Sequence, residues 1–323
     1  MGGFSSDYGS SRDYSFSPTP SVTKRTARDY AKEDKREYAA PTRGITTVHG
    51  KNISTDSDYA AIFVVDVTGS MKDWPKLIFN KIPTLYSESN AAIQGLRLKD
   101  LESGKKLEDK LEMAIIAVGD MNYDNYPLQI IDFSKGSELV KGVKSIHPEG
   151  GGGPFGEESY ELVAYYLDNH CKINSKKKPL LVYACDEDFY STIHKDHVKK
   201  LFGDKIPSSL SSDTVMKRVL NKFDSYVLRP EPGAEPDNVV YKEAHEHWQK
   251  LLGGNSQKVL KMNDPSRLVD CFIGIAGYAA NNFKQAEEML RRRQTPGQVD
   301  EVLKSLHPLT SSKPARKRTI KKN

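Results

Sequence analysis

Asp66, Thr68 and Ser70 stand at alternate positions in the segment VVDVTGSM and place one carboxylate and two hydroxyls within a single tight turn. All three are oxygen donors, the type that a hard divalent cation such as Mg²⁺ accepts at about 2.1 Å while keeping several of its waters. Mn²⁺ or Ca²⁺ would use the same set. The two hydroxyls are weak neutral ligands, so the cation keeps positive charge. A second apolar run that ends in acids, KPLLVYACDED, supplies Asp186, directly or through water. Asp120, at the end of LEMAIIAVGD, and Glu157, behind the glycine loop EGGGGPFGEES, stand as further oxygen donors. A shell left incomplete by the chain invites a carboxylate from outside.

These residues need elements that deliver them to one place. The run Ala60–Val65 is unbroken apolar and β-branched, as expected of a strand covered on both faces, and its carboxyl end presents Asp66. In an open α/β sheet that end is where ligands bind. After it, Asp73 can cap a helix with Pro75 in the first turn and Leu77, Ile78, Ile82, Leu85 and Tyr86 on one face, with a kink expected at Pro83. LEMAIIAVGD and YPLQIIDF read as strands two and three, GSELVKGVKSI as a short amphipathic helix, and residues 158–170 as another helix. KPLLVYACDED is a fourth strand. FDSYVLRP, a helix at EAHEHWQKLL, SQKVLKM and one last helix over 265–293 complete the series. The alternation predicts an α/β fold: a doubly wound, mostly parallel sheet with helices on both faces.

Residues 1–57 are rich in Ser, Gly, Asp, Arg and Tyr without a periodicity that buries a face, and read as a disordered arm. Within it Arg12-Asp13-Tyr14, Arg28-Asp29-Tyr30 and Arg36-Glu37-Tyr38 repeat a basic-acidic-aromatic triplet. Residues 58–292 form the α/β domain, and residues 293–323 a flexible basic tail. The net charge is +5, yet Lys313, Arg316, Lys317, Arg318, Lys321 and Lys322 carry six positive charges without an acid, which leaves the body near −1. The body is therefore not a nucleic-acid-type surface. The tail itself could contact a polyanion through its six cations, or serve only to solubilise.

No run reaches the ~18 apolar residues of a membrane span, and MGGFSSDYGSS lacks the basic-then-apolar pattern of a secretory signal. A cytoplasmic location is the expectation, or a nuclear one in a eukaryotic host. Cys171, Cys185 and Cys271 are isolated and suggest neither a disulfide framework nor a zinc cluster. His194 with His197, and His245 with His247, lack a zincin motif. No Walker loop, serine elbow or papain-like cysteine context is present.

Taken together, VVDVTGSM, the acid at Asp186, the loop GGGGPFGEES and the strand end AVGD at 117–120 resemble the von Willebrand factor type A domain with its metal-ion-dependent adhesion site, over about residues 58–292. Asp66, Thr68 and Ser70 match the family's Asp-x-Ser/Thr-x-Ser, and Asp186 its later acid. The family places a Thr or Asp in the glycine loop as a further ligand. Here Gly153-Pro154-Phe155 occupy that stretch, and Glu157, Glu158, Ser159, backbone or water must serve instead. The resemblance implies a non-catalytic, Mg²⁺-dependent protein-interaction module, in which a partner's Asp or Glu completes the metal's coordination. A degenerate scaffold without metal is the plainer alternative.

The same letters admit a rival. DVTGS also resembles the phosphoacceptor DKTGT of haloacid-dehalogenase-like phosphotransferases, with Asp66 as nucleophile, and GDMNYD, through Gly119, Asp120 and Asp124, resembles their late metal-binding acids. Against it stand the missing second acid of the soluble members' first motif, the absence of a membrane domain and the lack of a clear phosphate-binding lysine between residues 71 and 119.

Overall fold

The computed structural model describes residues 43–311 apart from 72–73, 98, 101–102, 104–106, 154–155 and 232–237. The N-terminal triplets, the six cations of the tail, Asp73, Pro154 and Phe155 lie outside the described residues.

Six strands form the central sheet: β1 (Tyr59–Asp66), β2 (Leu111–Val118), β3 (Leu128–Ser134), β4 (Leu180–Ala184), β5 (Asp224–Pro230) and β6 (Val259–Met262). Their order is β6-β5-β4-β1-β2-β3. Every neighbouring pair is parallel except β2 with β3. That exception follows from the chain: only residues 119–127 separate the two strands, too few for a crossover helix, so the chain turns back as a hairpin. The order reverses at β1, where the chain leaves toward β2 on one side and later returns to β4 on the other. The loops after β1 and β4 therefore diverge and open a crevice at their carboxyl ends.

Alternation along β1 sorts its side chains into two cores. Ala61, Phe63 and Val65 join the layer that holds α1 (Trp74–Ile93), α2 (Gly136–Val143), α7 (Leu268–Ala279) and α8 (Phe283–Arg293). Ile62 and Val64 join the layer of α3 (Tyr160–Asn169), α4 (Lys195–Phe202), α5 (Ser212–Lys222) and α6 (Val239–Leu252). Both faces are thus dry, which is why the strand reads as a continuous apolar run rather than an alternating one.

Several expectations need correction. The single helix over 265–293 is two, α7 and α8, separated by Asn281, the one non-glycine residue with positive φ (60°) among those described. Asn282 N–H closes the turn on the Gly277 carbonyl at 2.7 Å. The chain beyond 293 does not fray at once: Pro296–Ser311 forms α9, which buries Val299, Val302, Leu306 and Leu309. Nor is everything before residue 58 an arm, since Ile53–Thr55 pairs in parallel with Cys171–Ile173 and Ile53 is buried. Pro83, where a kink is expected, lies inside α1.

The Asn281 turn yields a direct test. A β-branched side chain in the left-handed region meets the following carbonyl, so Asn281→Val is expected to cost about 1–2 kcal/mol in urea unfolding, while Asn281→Gly is tolerated. Equal midpoints for the valine variant and the wild type would refute this reading of the turn.

Candidate metal centre

The crevice between β1 and β4 gathers the predicted residues. Asp66 ends β1 with 0% exposure, and its carboxylate is fully engaged. Oδ1 accepts from the Thr68 N–H at 2.7 Å and the Thr68 hydroxyl at 2.6 Å, while Oδ2 accepts from the Tyr160 hydroxyl. The Thr68 and Ser70 hydroxyls lie 3.2 Å apart, and the Ser70 hydroxyl reaches Asp186 beyond the end of β4. Asp66, Thr68, Ser70 and Asp186 are therefore brought together, by two parallel strands in register and one turn.

The glycine loop is tied to this turn by backbone hydrogen bonds, with Ser70 left exposed. Gly69 N–H donates to the Gly151 carbonyl at 2.6 Å and Gly150 N–H to the Val67 carbonyl at 3.0 Å. A Cβ on Gly152 would stand 2.8 Å from Glu158 Oε1, and one on Gly153 2.7 Å from Asp120 Oδ2. A side chain at either place would push an acid aside, and the φ of +113° at Gly152 disfavours any other residue there. Asp124 staples the loop to the end of β2, accepting from Gly152 N–H at 3.1 Å and Asp120 N–H at 2.7 Å.

Of the further donors expected, Asp120 is buried beside the loop, with its oxygens taken by Asn122 N–H at 2.7 Å and the Tyr190 hydroxyl at 2.8 Å. Glu157 is only partly buried and pairs in a short parallel ladder with Asp188. The adjacent Glu158 is the one that faces the centre: it is 1% exposed, and among its acidic neighbours Asp66 acts on it most strongly.

Electrostatically the centre is overloaded with acid. Burial, then the charge of Asp186, pushes Asp66 well above the usual carboxylate range, and burial also raises Asp186. Burial and Asp66 push Glu158 up to about 10, and burial and Asp186 push Glu187 up to about 7. The cation set among them is Arg229, buried at 0% exposure on β5, but its guanidinium donates to the backbone carbonyls of Asp186 and Glu187 rather than to a carboxylate. Asp186 Oδ1, Glu158 Oε2 and Glu187 Oε2 are buried without a hydrogen-bond partner. Orphaned carboxylate oxygens in a low-dielectric site are costly unless a proton or a cation satisfies them. Among the described residues no group of three or more His, Cys, Asp and Glu side chains is placed to hold a metal. The set here instead mixes carboxylates with two hydroxyls, an oxygen-only arrangement that fits Mg²⁺, Mn²⁺ or Ca²⁺.

Three participants escaped the sequence. Tyr160 is 94 residues from Asp66 and carries no local signal of its role. Arg229 reads as one more strand residue of FDSYVLRP, and Glu187 as the middle of an acid run. Glu161 is likewise buried with an orphaned oxygen and raised by burial.

The segment that carries Asp186 is braced from behind. His247 of α6 sits between Asp188, whose oxygens lie 2.8 and 2.9 Å from Nδ1, and Asp213 of α5, 2.9 Å from Nε2. The hydrogen bond to Asp188 foremost, opposed by partial burial, holds His247 above its ordinary value. A raised histidine contributes stability that is fully present below the unfolded pKa of ~6.5 and is lost as pH rises through the folded value. The stability gap between wild type and His247→Gln is therefore expected to shrink as pH is raised from 6 to 9, read by urea midpoints. A gap that widens over this range contradicts the bracing role.

The fold and site together define an open, doubly wound α/β domain with an acid-and-hydroxyl centre at its switch point. No protein-family model and no curated protein matches the chain. Among solved structures, the pilus adhesin SpaC of Lactobacillus rhamnosus GG in its open conformation is similar over 73% of this chain and 31% of its own, at 11% identity and a TM-score of 0.48. Proximal thread matrix protein 1 of the mussel byssus, in a structure with a zinc-occupied MIDAS motif, is similar over 72% of this chain and 47% of its own, at 9% identity and a TM-score of 0.43. The chain spans about a third of the adhesin's length and about half of the mussel protein's.

Proposed function

We propose that this chain is a von Willebrand A-type interaction module whose Asp66, Thr68, Ser70 and Asp186 hold a divalent cation, Mg²⁺ foremost, for capture of a partner protein's Asp or Glu. The observation that carries the reading is the buried, orphaned Asp186 Oδ1 beside two hydroxyls and a second carboxylate. Glu158 takes the place of the acid or threonine that the family keeps in the glycine loop. Two hydroxyl donors leave the cation electron-poor, so an incoming carboxylate gains a strong bond there.

The module works by binding and not by turnover. As a nucleophile, Asp66 would have to meet an anionic phosphate amid Asp186 and Glu158, where the nearby cation, Arg229, donates to backbone carbonyls instead. Among the described residues no helix is long and apolar enough to cross a membrane, and the reading needs none.

The test is capture of an immobilised library of Asp- and Glu-terminated peptides, with Mg²⁺ and with chelator. Capture is expected only with Mg²⁺, and Thr68→Val combined with Ser70→Ala should abolish it while leaving the melting temperature in chelator near wild type. Capture that survives chelation, or survives loss of both hydroxyls, speaks for a metal-free scaffold instead.

A further inference from the structure

At the opposite end of the sheet from the acid centre lies a cavity of about 520 Å³. It opens where β1, β2, β4 and β5 begin and where α1 and α7 end, and Leu111, Leu180, Phe272, Ile93 and Ala276 give it an apolar wall. The size falls within the ~300–1,000 Å³ of small-molecule sites, and the place is unrelated to the carboxyl-end crevice. Tyr59 and Asp66 are the two ends of β1, about 23 Å apart at the usual rise.

The mouth has a definite chemistry. Lys177 Nζ sits 3.7 Å from the centroid of the Tyr59 ring, and Lys178 beside it has no ion-pair partner among the described residues. Both ammonium groups are exposed on the loop after Cys171–Ile173. The acids at the mouth are occupied: Asp224 is held by Lys258 and by the Tyr226 hydroxyl at 3.1 Å, and Asp58 accepts from Lys176 N–H at 2.9 Å. Within the wall, the Ser89 hydroxyl is buried without a partner. An apolar recess behind two lysines suits a ligand with a greasy body and one anionic end, since the chain buries against aliphatic and aromatic surface while the head stays at the solvated cations.

We infer that this cavity binds an amphipathic anion of the medium-chain fatty-carboxylate class, with its chain between α1 and α7 and its head at Lys177 and Lys178. Apart from the two lysines and Tyr59, the polar lining is confined to mouth acids that are already bonded, to the Ser89 hydroxyl and to Asn281, beside a mostly apolar wall. Lysine, as a mobile point charge, tolerates the head-group freedom that such a ligand keeps.

The experiment is a calorimetric titration of the full chain with decanoate and, separately, with decanol, each kept below the concentration at which it aggregates. Decanoate is expected to bind once per chain, and more tightly than decanol. Lys177→Ala with Lys178→Ala, a surface change, should weaken decanoate at least about tenfold and leave decanol unaltered. Ala279→Phe, which fills the recess from α7, should abolish both. A parallel sedimentation with phosphatidylglycerol vesicles separates a free acid from a lipid headgroup as the source: pelleting that depends on the two lysines, without decanoate binding, overturns the free-carboxylate assignment. So does the absence of saturable decanoate binding by the wild type, or decanoate affinity that the lysine pair does not influence.

Discussion

Asp270→Ala is expected to destabilise the protein by about 3–5 kcal/mol, because it breaks a buried ionic network at one partner only. Asp270, at 1% exposure on α7, accepts from Arg293 of α8, from Gln294 Nε2 at 3.0 Å and from Arg267 Nη1 at 3.4 Å. Arg293 meanwhile grips Glu88 of α1 through two bonds, Nε at 2.9 Å and Nη2 at 3.0 Å. Two arginines face these two carboxylates, Arg267 reaches Asp264 as well at 3.3 Å, and three helices meet there. Burial raises Glu88, opposed by the charge of Arg293. Removing Asp270 leaves Arg293 with Glu88 alone and Arg267 with the partly exposed Asp264, 3.3 Å away. Asp270→Asn keeps hydrogen bonds without the charge and should lose less. Urea unfolding with an unchanged slope and a lowered midpoint is the expected record; midpoints equal to wild type would show that the network contributes nothing.

Much of this architecture is legible in the residues, for reasons that are local. A strand dry on both faces must be apolar at every position, so Ala60–Val65 is unmistakable, and the acid that ends it marks the carboxyl end of the sheet. The break between α7 and α8 is not legible, because Ala279 and Ala280 are strong helix formers that run straight into it and only the following asparagines hint at a left-handed cap. Helix α9 did carry a signal, with Pro296 at its first position and Val299, Val302, Leu306 and Leu309 at helical spacing, but Gly297 and Pro308 disguise it as a fraying tail.

The centre divides in the same way. Asp66, Thr68 and Ser70 announce themselves because one turn holds all three. Asp186 does so because it ends a second buried strand. Tyr160 and Arg229 depend on which helix and which strand pack behind the crevice, and that is decided by the whole fold. Glu158 rather than its neighbour Glu157 enters the centre because a short ladder with Asp188 and Phe189 fixes the parity of that segment. A one-residue slip would exchange them.

Glu158→Gln is expected to stabilise the metal-free protein and to weaken its response to cation. Glu158 is held at about 10 by burial and by Asp66, against an unfolded value of ~4.3. A carboxyl raised in the folded state contributes stability that is fully present below the unfolded pKa and is lost as pH rises through the folded value. In chelator the wild type should therefore lose stability steadily from pH 5 to pH 10, and the glutamine variant should lose less, with an advantage on the order of a few kcal/mol at pH 8. With saturating Mg²⁺ the order should narrow or reverse, since the wild type gains a ligand that the variant lacks. Acids held together at such a cost suit a crevice that binds a cation, as proposed above. Thermal melts at pH 5 and pH 8, with and without Mg²⁺, read all four terms. A variant less stable than wild type in chelator at pH 8 would show that Glu158 is a structural group and not a strained one.

The most direct measurement is a calorimetric titration of Mg²⁺ into the wild type and into Asp186→Asn at pH 8. Asp186 is the better probe than Asp66, whose removal would orphan the buried Tyr160 hydroxyl and disturb the fold for reasons unrelated to metal. The account predicts one cation per chain for the wild type, with protons released on binding as the raised carboxyls of the centre surrender them, and affinity reduced at least about tenfold in the variant. A folded wild type that binds no Mg²⁺, or an Asp186→Asn variant that binds it equally well, would contradict the assignment of this crevice as a metal centre.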